Sequence, residues 1–259
     1  MNARKQIDAD LLSLPEQLDL ADAVFYESSG ASGDRTLYVE GDGAAYLKIA
    51  PAGSLERAAR MQAYFHQKGL SSEVLAYFSL DRDYLLTAAI DGEDGTTNRY
   101  LAQPERLSRV FGEALRALHE TKASDCPAKK RMEAYLADAG KARFDQNHLD
   151  RVRDFIGAAD ADKAGEEIVK KRDLLANDTL IHGDYCLPNI MIRRWKFTGF
   201  IDVADGGLGD AHYDLAWGLW TLAYNLKTPD YGKTFLKAYG EEKIDMPRLR
   251  ICGLLAAME

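Results

Sequence analysis

The chain reads as an α+β protein. Three features say so: a strand-rich, glycine-punctuated N-terminal third, a helical repeat of apolar residues after residue 104, and a short apolar hairpin inside an otherwise helical second half. The expected architecture is a five-stranded antiparallel sheet with one helix in residues 1–91, followed by a mainly helical part in residues 92–259.

Val24 to Glu27, Leu37 to Glu40 and Ala44 to Ile49 read as strands, because alternating apolar residues are separated there by Gly30, Gly33, Gly41 and Gly43. Ser54 is placed to cap a helix running to about Lys68, and Val74 to Leu80 and Tyr84 to Ile90 alternate as two further strands. Residues 91–98 (D-G-E-D-G-T-T-N) have turn composition and mark the boundary between the two parts. Leu107, Val110, Phe111, Ala114, Leu115 and Leu118 then recur at helical spacing behind Pro104, a residue suited to a first helical turn. Within the mainly helical remainder, Asn189 to Ile192 and Phe197 to Ile201 flank the turn 193–196, so Asn189 enters one short strand and Asp202 leaves the next.

Composition narrows the function classes. With 33 Lys and Arg against 41 Asp and Glu, the formal net charge is −8, which disfavours nucleic acid and favours cationic partners. The N-terminus carries charges where a signal peptide needs an apolar run, and Leu215 to Tyr224, the longest apolar stretch, falls far short of a membrane span. The cysteines Cys126, Cys186 and Cys252 are odd in number and lack C-x-x-C spacing, which fits a reducing cytoplasm better than a disulfide framework or a zinc site.

The chemistry is concentrated at His182-Gly183-Asp184-Tyr185-Cys186-Leu187-Pro188-Asn189, an H-x-D-x-x-x-x-N arrangement, with Asp202 thirteen residues after Asn189. Phosphoryl transfer needs a carboxylate to accept the proton of an attacking hydroxyl, and Asp184 suits that task. It also needs hard oxygen ligands for a divalent metal that offsets phosphate charge, and Asn189 and Asp202 suit that one. His182 is expected to hold the loop through hydrogen bonds. On the strand 45–49, Lys48 stands where a kinase grips the α- and β-phosphates, and the small residues of 28–34 could let backbone amides approach a triphosphate or could form only a flexible turn. No G-x-x-x-x-G-K-[ST] motif is present, which argues against a mononucleotide-fold kinase.

The run H-G-D-Y-C-L-P-N-I-M-I at 182–192, G-F-I-D at 199–202, and Asp210 followed by Tyr213-Asp214-Leu215-Ala216 resemble the aminoglycoside 3′-phosphotransferases in order and spacing. That resemblance implies a bilobal, protein-kinase-like fold, Mg²⁺, ATP or GTP between the lobes, and a cationic acceptor, an aminoglycoside. It implies Asp184 as base, Asn189 and Asp202 as metal ligands and Lys48 as the phosphate contact. Ala31 and Ser32 look like the loop over the β-phosphate. Tyr46 resembles an aromatic that stacks on the purine, with strand packing an equal alternative, and Ala88 and Ile90 look like the backbone contacts to it.

Some positions depart from the pattern. Where the family places a glutamate to steady its lysine, this chain has Arg57 or Ala58, with Glu56 the nearest carboxylate. Tyr224, Asn225, Ala256 and Ala257 replace acidic residues, and Asp205 replaces an arginine. Asp150, Asp154, Asp205, Tyr224, Asn225, Glu259 and the terminal carboxylate are therefore the candidate acceptor contacts. Two alternatives stay open: a kinase of another hydroxylated small molecule, and a nucleotide-binding pseudokinase.

Overall fold

Alternation in the N-terminal unit, Met1–Ile90, produces a six-stranded antiparallel sheet. A computed structural model of the chain describes residues 5–8, 12, 14–20, 22–28 and 35–258. The strands are β1 (Gln6–Ile7), β2 (Val24–Ser28), β3 (Arg35–Glu40), β4 (Ala44–Pro51), β5 (Val74–Ser79) and β6 (Arg82–Ala88), in spatial order β1-β2-β3-β4-β6-β5. Five of them answer to the alternating runs. The sixth, β1, is too short to carry a pattern and is held by pairing Gln6 with Tyr26 and Ile7 with Phe25.

The period of two divides the strands of this unit between two faces. Phe25, Leu37, Val39, Leu47, Ile49 and Leu86 form a buried cluster. On β4, Tyr46 and Lys48 alternate with the buried Ala45, Leu47 and Ile49 and are half-buried. The helix α1 (Glu56–Gln67) follows, but Ser54 does not cap it: its hydroxyl donates to the Pro51 carbonyl. Asp83 does the capping from β6, with Oδ1 accepting from the Gly53 amide at 2.9 Å and Oδ2 from the Leu55 amide at 2.7 Å.

The second unit, Asp91–Glu259, contains α2 (Asn98–Leu101), α3 (Pro104–His119), α4 (Arg131–Leu136), α5 (Gln146–Ile156), α6 (Ala161–Lys171), α7 (Ala211–Leu226), α8 (Gly232–Tyr239) and α9 (Met246–Ala256). Pro104 opens α3 as the spacing requires, and Leu107, Phe111, Ala114, Leu115 and Leu118 are buried along it. Gly112 lets α8 come close: a Cβ there would lie 2.4 Å from the Phe235 carbonyl oxygen. The chain end docks beside α5, through an Asp145 amide bond to the Ala257 carbonyl at 2.8 Å.

Short strands carry the loops of interest. Residues 91–98 are more than a turn, since β7 (Glu93–Asp94) lies within them and pairs with β9 (Ile190–Arg193), which pairs in turn with β10 (Lys196–Phe200). Arg194 and Trp195 both take positive φ, 50° and 65°, the sense a tight two-residue hairpin turn requires. β8 (Thr179–Ile181) pairs with β11 (Gly207–Gly209) and delivers the chain to His182.

Candidate active site

The loop after β8 is held from behind by one buried carboxylate. Asp214, on α7, accepts the His182 amide at 2.6 Å and the Gly183 amide at 2.9 Å. Its Oδ2 also accepts from His119 Nε2 at 3.2 Å, and His119 Nδ1 accepts from the Tyr239 hydroxyl at 2.9 Å. Asp214 is fully buried, and three hydrogen bonds compensate its charge. The motif containing Asp214 is visible in the sequence, but its role is not, because the amides it holds lie more than thirty residues earlier.

Gly183 bends the chain at φ 84°, a conformation that favours glycine, and a Cβ there would stand 2.3 Å from the Asp205 carbonyl oxygen. Tyr185 anchors the next segment, its hydroxyl donating to the Phe111 carbonyl at 2.7 Å while the two rings stack at 4.4 Å. Leu187 is tied by its amide to Thr221 Oγ1 and by its carbonyl to the Gly95 amide. These anchors fix the residues around Asp184 before any ligand binds.

Asp184 and Asn189 meet directly. Asn189 Nδ2 donates to the Asp184 carbonyl at 3.0 Å and to Oδ2 of its carboxylate at 2.8 Å. Both neighbours are acceptors, so the nitrogen must face them and the amide oxygen Oδ1 points away. Asp202 arrives through the backbone: the Ile201 amide donates to the Asn189 carbonyl at 3.0 Å, and the Ile201 carbonyl accepts from His182 Nε2 at 3.0 Å. His182 Nδ1 in turn accepts the Asp184 amide at 3.3 Å, so this buried histidine ties the two segments together as expected. Asp202 itself sits in the left-handed region, φ 55° and ψ 44°, at an exposed bend. Burial first, and then the Asp184 charge, push the Cys186 thiol well above its ordinary range, so it remains a neutral S–H group.

The donor set fits a magnesium ion. Asn189 Oδ1 and the Asp202 carboxylate are hard oxygens on adjoining segments, and magnesium commonly takes one or two protein oxygens, with phosphate and water completing its octahedron. Among the described residues there is no cluster of three or more His, Cys, Asp or Glu side chains that could form an all-protein cage.

The remaining expected positions are less unified. Lys48 lies on β4 opposite Thr36 and Leu85. Tyr46 meets Tyr38 edge-on at 5.4 Å, which places it in sheet packing. The Ala88 amide donates to the Glu73 carbonyl at 2.9 Å, so that N–H is engaged within the sheet, and Ile90 ends the unit. Ala31, Ser32 and Glu259 lie outside the described residues. Glu56 is exposed at the start of α1.

Of the candidate acceptor residues, Asp150 and Asp154 are exposed on α5, and Asp150 accepts from Gln146 one turn earlier. Asn225 returns its amide to the Thr221 carbonyl at 2.8 Å, as a helix residue bonding its own preceding turn. Tyr224 is exposed, and Asp205 is paired with Arg131. Ala256 and Ala257 are buried as packing residues.

A β-sheet unit, a helical unit and a loop built around an Asp–Asn pair define a kinase-like phosphotransferase. Residues 28–252 match the sequence model described as the phosphotransferase enzyme family, and the chain belongs to that family. It is 41% identical over 257 residues to a probable aminoglycoside 3′-phosphotransferase of Lactococcus lactis, covering 98% of each chain. The crystal structure of an aminoglycoside-3′-phosphotransferase of type VIII superposes with a TM-score of 0.73 at 22% identity, covering 95% of this chain and 96% of the other. An aminoglycoside phosphotransferase from Streptomyces rimosus in complex with ADP and streptomycin gives 0.69 at 20% identity, covering 96% and 97%. Among the described residues, no helix is long and apolar enough to cross a membrane.

Proposed function

We propose that this phosphotransferase moves the γ-phosphoryl group of ATP or GTP to a hydroxyl of an aminoglycoside in the cytoplasm, with Asp184 as the base. The contact between Asn189 Nδ2 and the Asp184 carboxylate, 2.8 Å, carries the reading, because it orients a carboxylate and a metal-competent amide oxygen in one loop. The family membership and the 41% identity to a probable aminoglycoside 3′-phosphotransferase support the acceptor class.

In this account Asp184 takes the hydroxyl proton as the new O–P bond forms and the bond to the β,γ-bridging oxygen breaks, leaving the nucleoside diphosphate. Asn189 and Asp202 would hold the magnesium ion. When bound, that ion offsets charge on the β- and γ-phosphates. The N-terminal unit supplies the nucleotide contacts, Lys48 foremost, with Ala31, Ser32, Tyr46 and the backbone at Ala88 and Ile90 beside it. The second unit supplies catalysis and acceptor binding, for which Asp150, Asp154, Asp205, Tyr224, Asn225 and Glu259 are the candidates.

Resistance profiling tests this function. Expression in a susceptible bacterium should raise the inhibitory concentration of at least one aminoglycoside, and Asp184→Ala should return it to the vector level. Equal protection by Asp184→Ala, or none by the wild-type chain at normal soluble expression, would contradict it.

A further inference from the structure

Asp202 takes a backbone conformation that needs outside support. Its φ of 55° and ψ of 44° lie in the left-handed region, which is costly for a residue with a side chain, and it opens the short 3₁₀ turn Val203–Asp205. Such a residue keeps its geometry where the chain is fixed on both sides of it. Before Asp202, the Ile201 amide donates to the Asn189 carbonyl and the Ile201 carbonyl accepts from His182 Nε2.

After Asp202, the support comes from α4. Arg131 Nε donates to the Asp205 carbonyl at 2.9 Å and Nη2 to the Asp205 carboxylate at 3.2 Å, so one guanidinium grips both the main chain and the side chain that end the turn. The Tyr135 hydroxyl donates to the same carbonyl at 3.3 Å, and the guanidinium lies 4.6 Å from the Tyr135 ring centre. The chain beyond is pinned beside them by the Leu208 amide, which donates to the Ala128 carbonyl at 2.7 Å. Gly207 makes room for the arginine stem, since a Cβ there would lie 2.8 Å from Arg131 Cγ. The Arg131 side chain is 8% exposed, so its charge is compensated by these bonds rather than by bulk water.

We propose that Arg131 is a positioning residue for the metal site: by fixing Asp205 it holds the turn that keeps Asp202 left-handed, and so aims the Asp202 carboxylate. The inference rests on the reading of Asn189 and Asp202 as magnesium ligands. Arg131 acts through the backbone of residues 202–205. Without its donors the turn can open and Asp202 can relax to right-handed or extended backbone, which redirects its side chain. Lysine at 131 would keep the charge but not the planar fork that bonds the carbonyl and the carboxylate together.

Calorimetric titration of the full chain with ADP, once in excess Mg²⁺ and once in EDTA, tests it. Removing the support of a metal ligand commonly weakens metal affinity by about 10–100-fold, so Arg131→Met should raise the Kd for ADP in Mg²⁺ by at least about tenfold. Its Kd in EDTA should stay at the wild-type value, and Arg131→Lys should fall between variant and wild type in Mg²⁺. A wild-type Kd in Mg²⁺ for folded Arg131→Met overturns the proposal. An equal loss in EDTA overturns it too, because a general disturbance of the fold would act without the metal. Should Arg131→Met fail to fold, Arg131→Lys decides by the same two titrations, with weaker binding confined to Mg²⁺ in support and no change against. If Mg²⁺ does not tighten ADP binding to the wild-type chain, the metal-ligand reading of Asn189 and Asp202 fails instead.

Discussion

His148 is a titratable group placed where ionisation is costly. It is buried between the rings of Trp217 and Trp220, and its Nε2 has no hydrogen-bond partner among the described residues. Burial lowers its pKa from 6.5 to about 4. The unfolded chain therefore binds a proton between these values that the folded chain does not, and folding loses stability as pH falls from 6.5 toward 4. The integrated effect is on the order of 3 kcal/mol at the lower limit. Thermal midpoints across this window should fall more steeply for the wild-type chain than for His148→Phe; parallel profiles would show that the histidine does not carry the difference. Asp83 shows the opposite outcome at a buried site. Burial opposes its ionisation, but hydrogen bonds from Ser79, Gly53 and Leu55 outweigh that and hold its carboxyl below the ordinary range.

Arg250 and Glu167 join elements rather than side chains alone. Arg250 on α9 donates through Nε and Nη2 to the two oxygens of Glu167 on α6, at 2.7 and 2.8 Å, and through Nη1 to the Ile156 carbonyl at the end of α5. The hydrogen bond from Arg250 is the main reason the Glu167 carboxyl is lowered from 4.5 to about 2. Its contribution to stability is complete above pH 4.5 and is lost as pH falls toward 2. Arg250→Ala should destabilise the chain by about 2–4 kcal/mol at pH 7, by removing this donor from the Ile156 and Ala158 carbonyls and from a partly buried carboxylate. Chemical denaturation at pH 7 and near pH 3 would measure this, and the difference between variant and wild type should shrink at the lower pH. The elements themselves were legible in the sequence where period carried them: α3 through its apolar stripe, β2 to β6 through alternation, and the β9–β10 hairpin through its two short runs. Long-range contacts were not legible. Ser54 seemed the natural cap of α1, but the cap comes from Asp83, across a separation no local pattern encodes. β1 has two residues, too few for any periodicity.

For the whole molecule, the same contrast separates the loop at Asp184 from the candidate acceptor residues. Asp184 and Asn189 lie within one loop, so their spacing was sufficient to pair them, and Asp202 followed from the hairpin that returns the chain to Asn189. The support behind that loop was hidden, because Asp214 and His119 reach it from helices distant in sequence. The candidate acceptor residues were the least legible. Counting carboxylates suggested Asp150, Asp154 and Asp205 alike; that Arg131 from α4 pairs with Asp205, whose carbonyl packs against Gly183, depends on contacts no local pattern encodes. We propose that Asp184 acts on the acceptor hydroxyl while Asn189 and Asp202 act on the metal and nucleotide. Purified Asp184→Ala, assayed beside wild type for phosphoryl transfer and for Mg-nucleotide affinity, tests it most directly. The variant's kcat should fall about 10²–10⁴-fold with nucleotide affinity nearly unchanged. Near-wild-type turnover in that variant would contradict it.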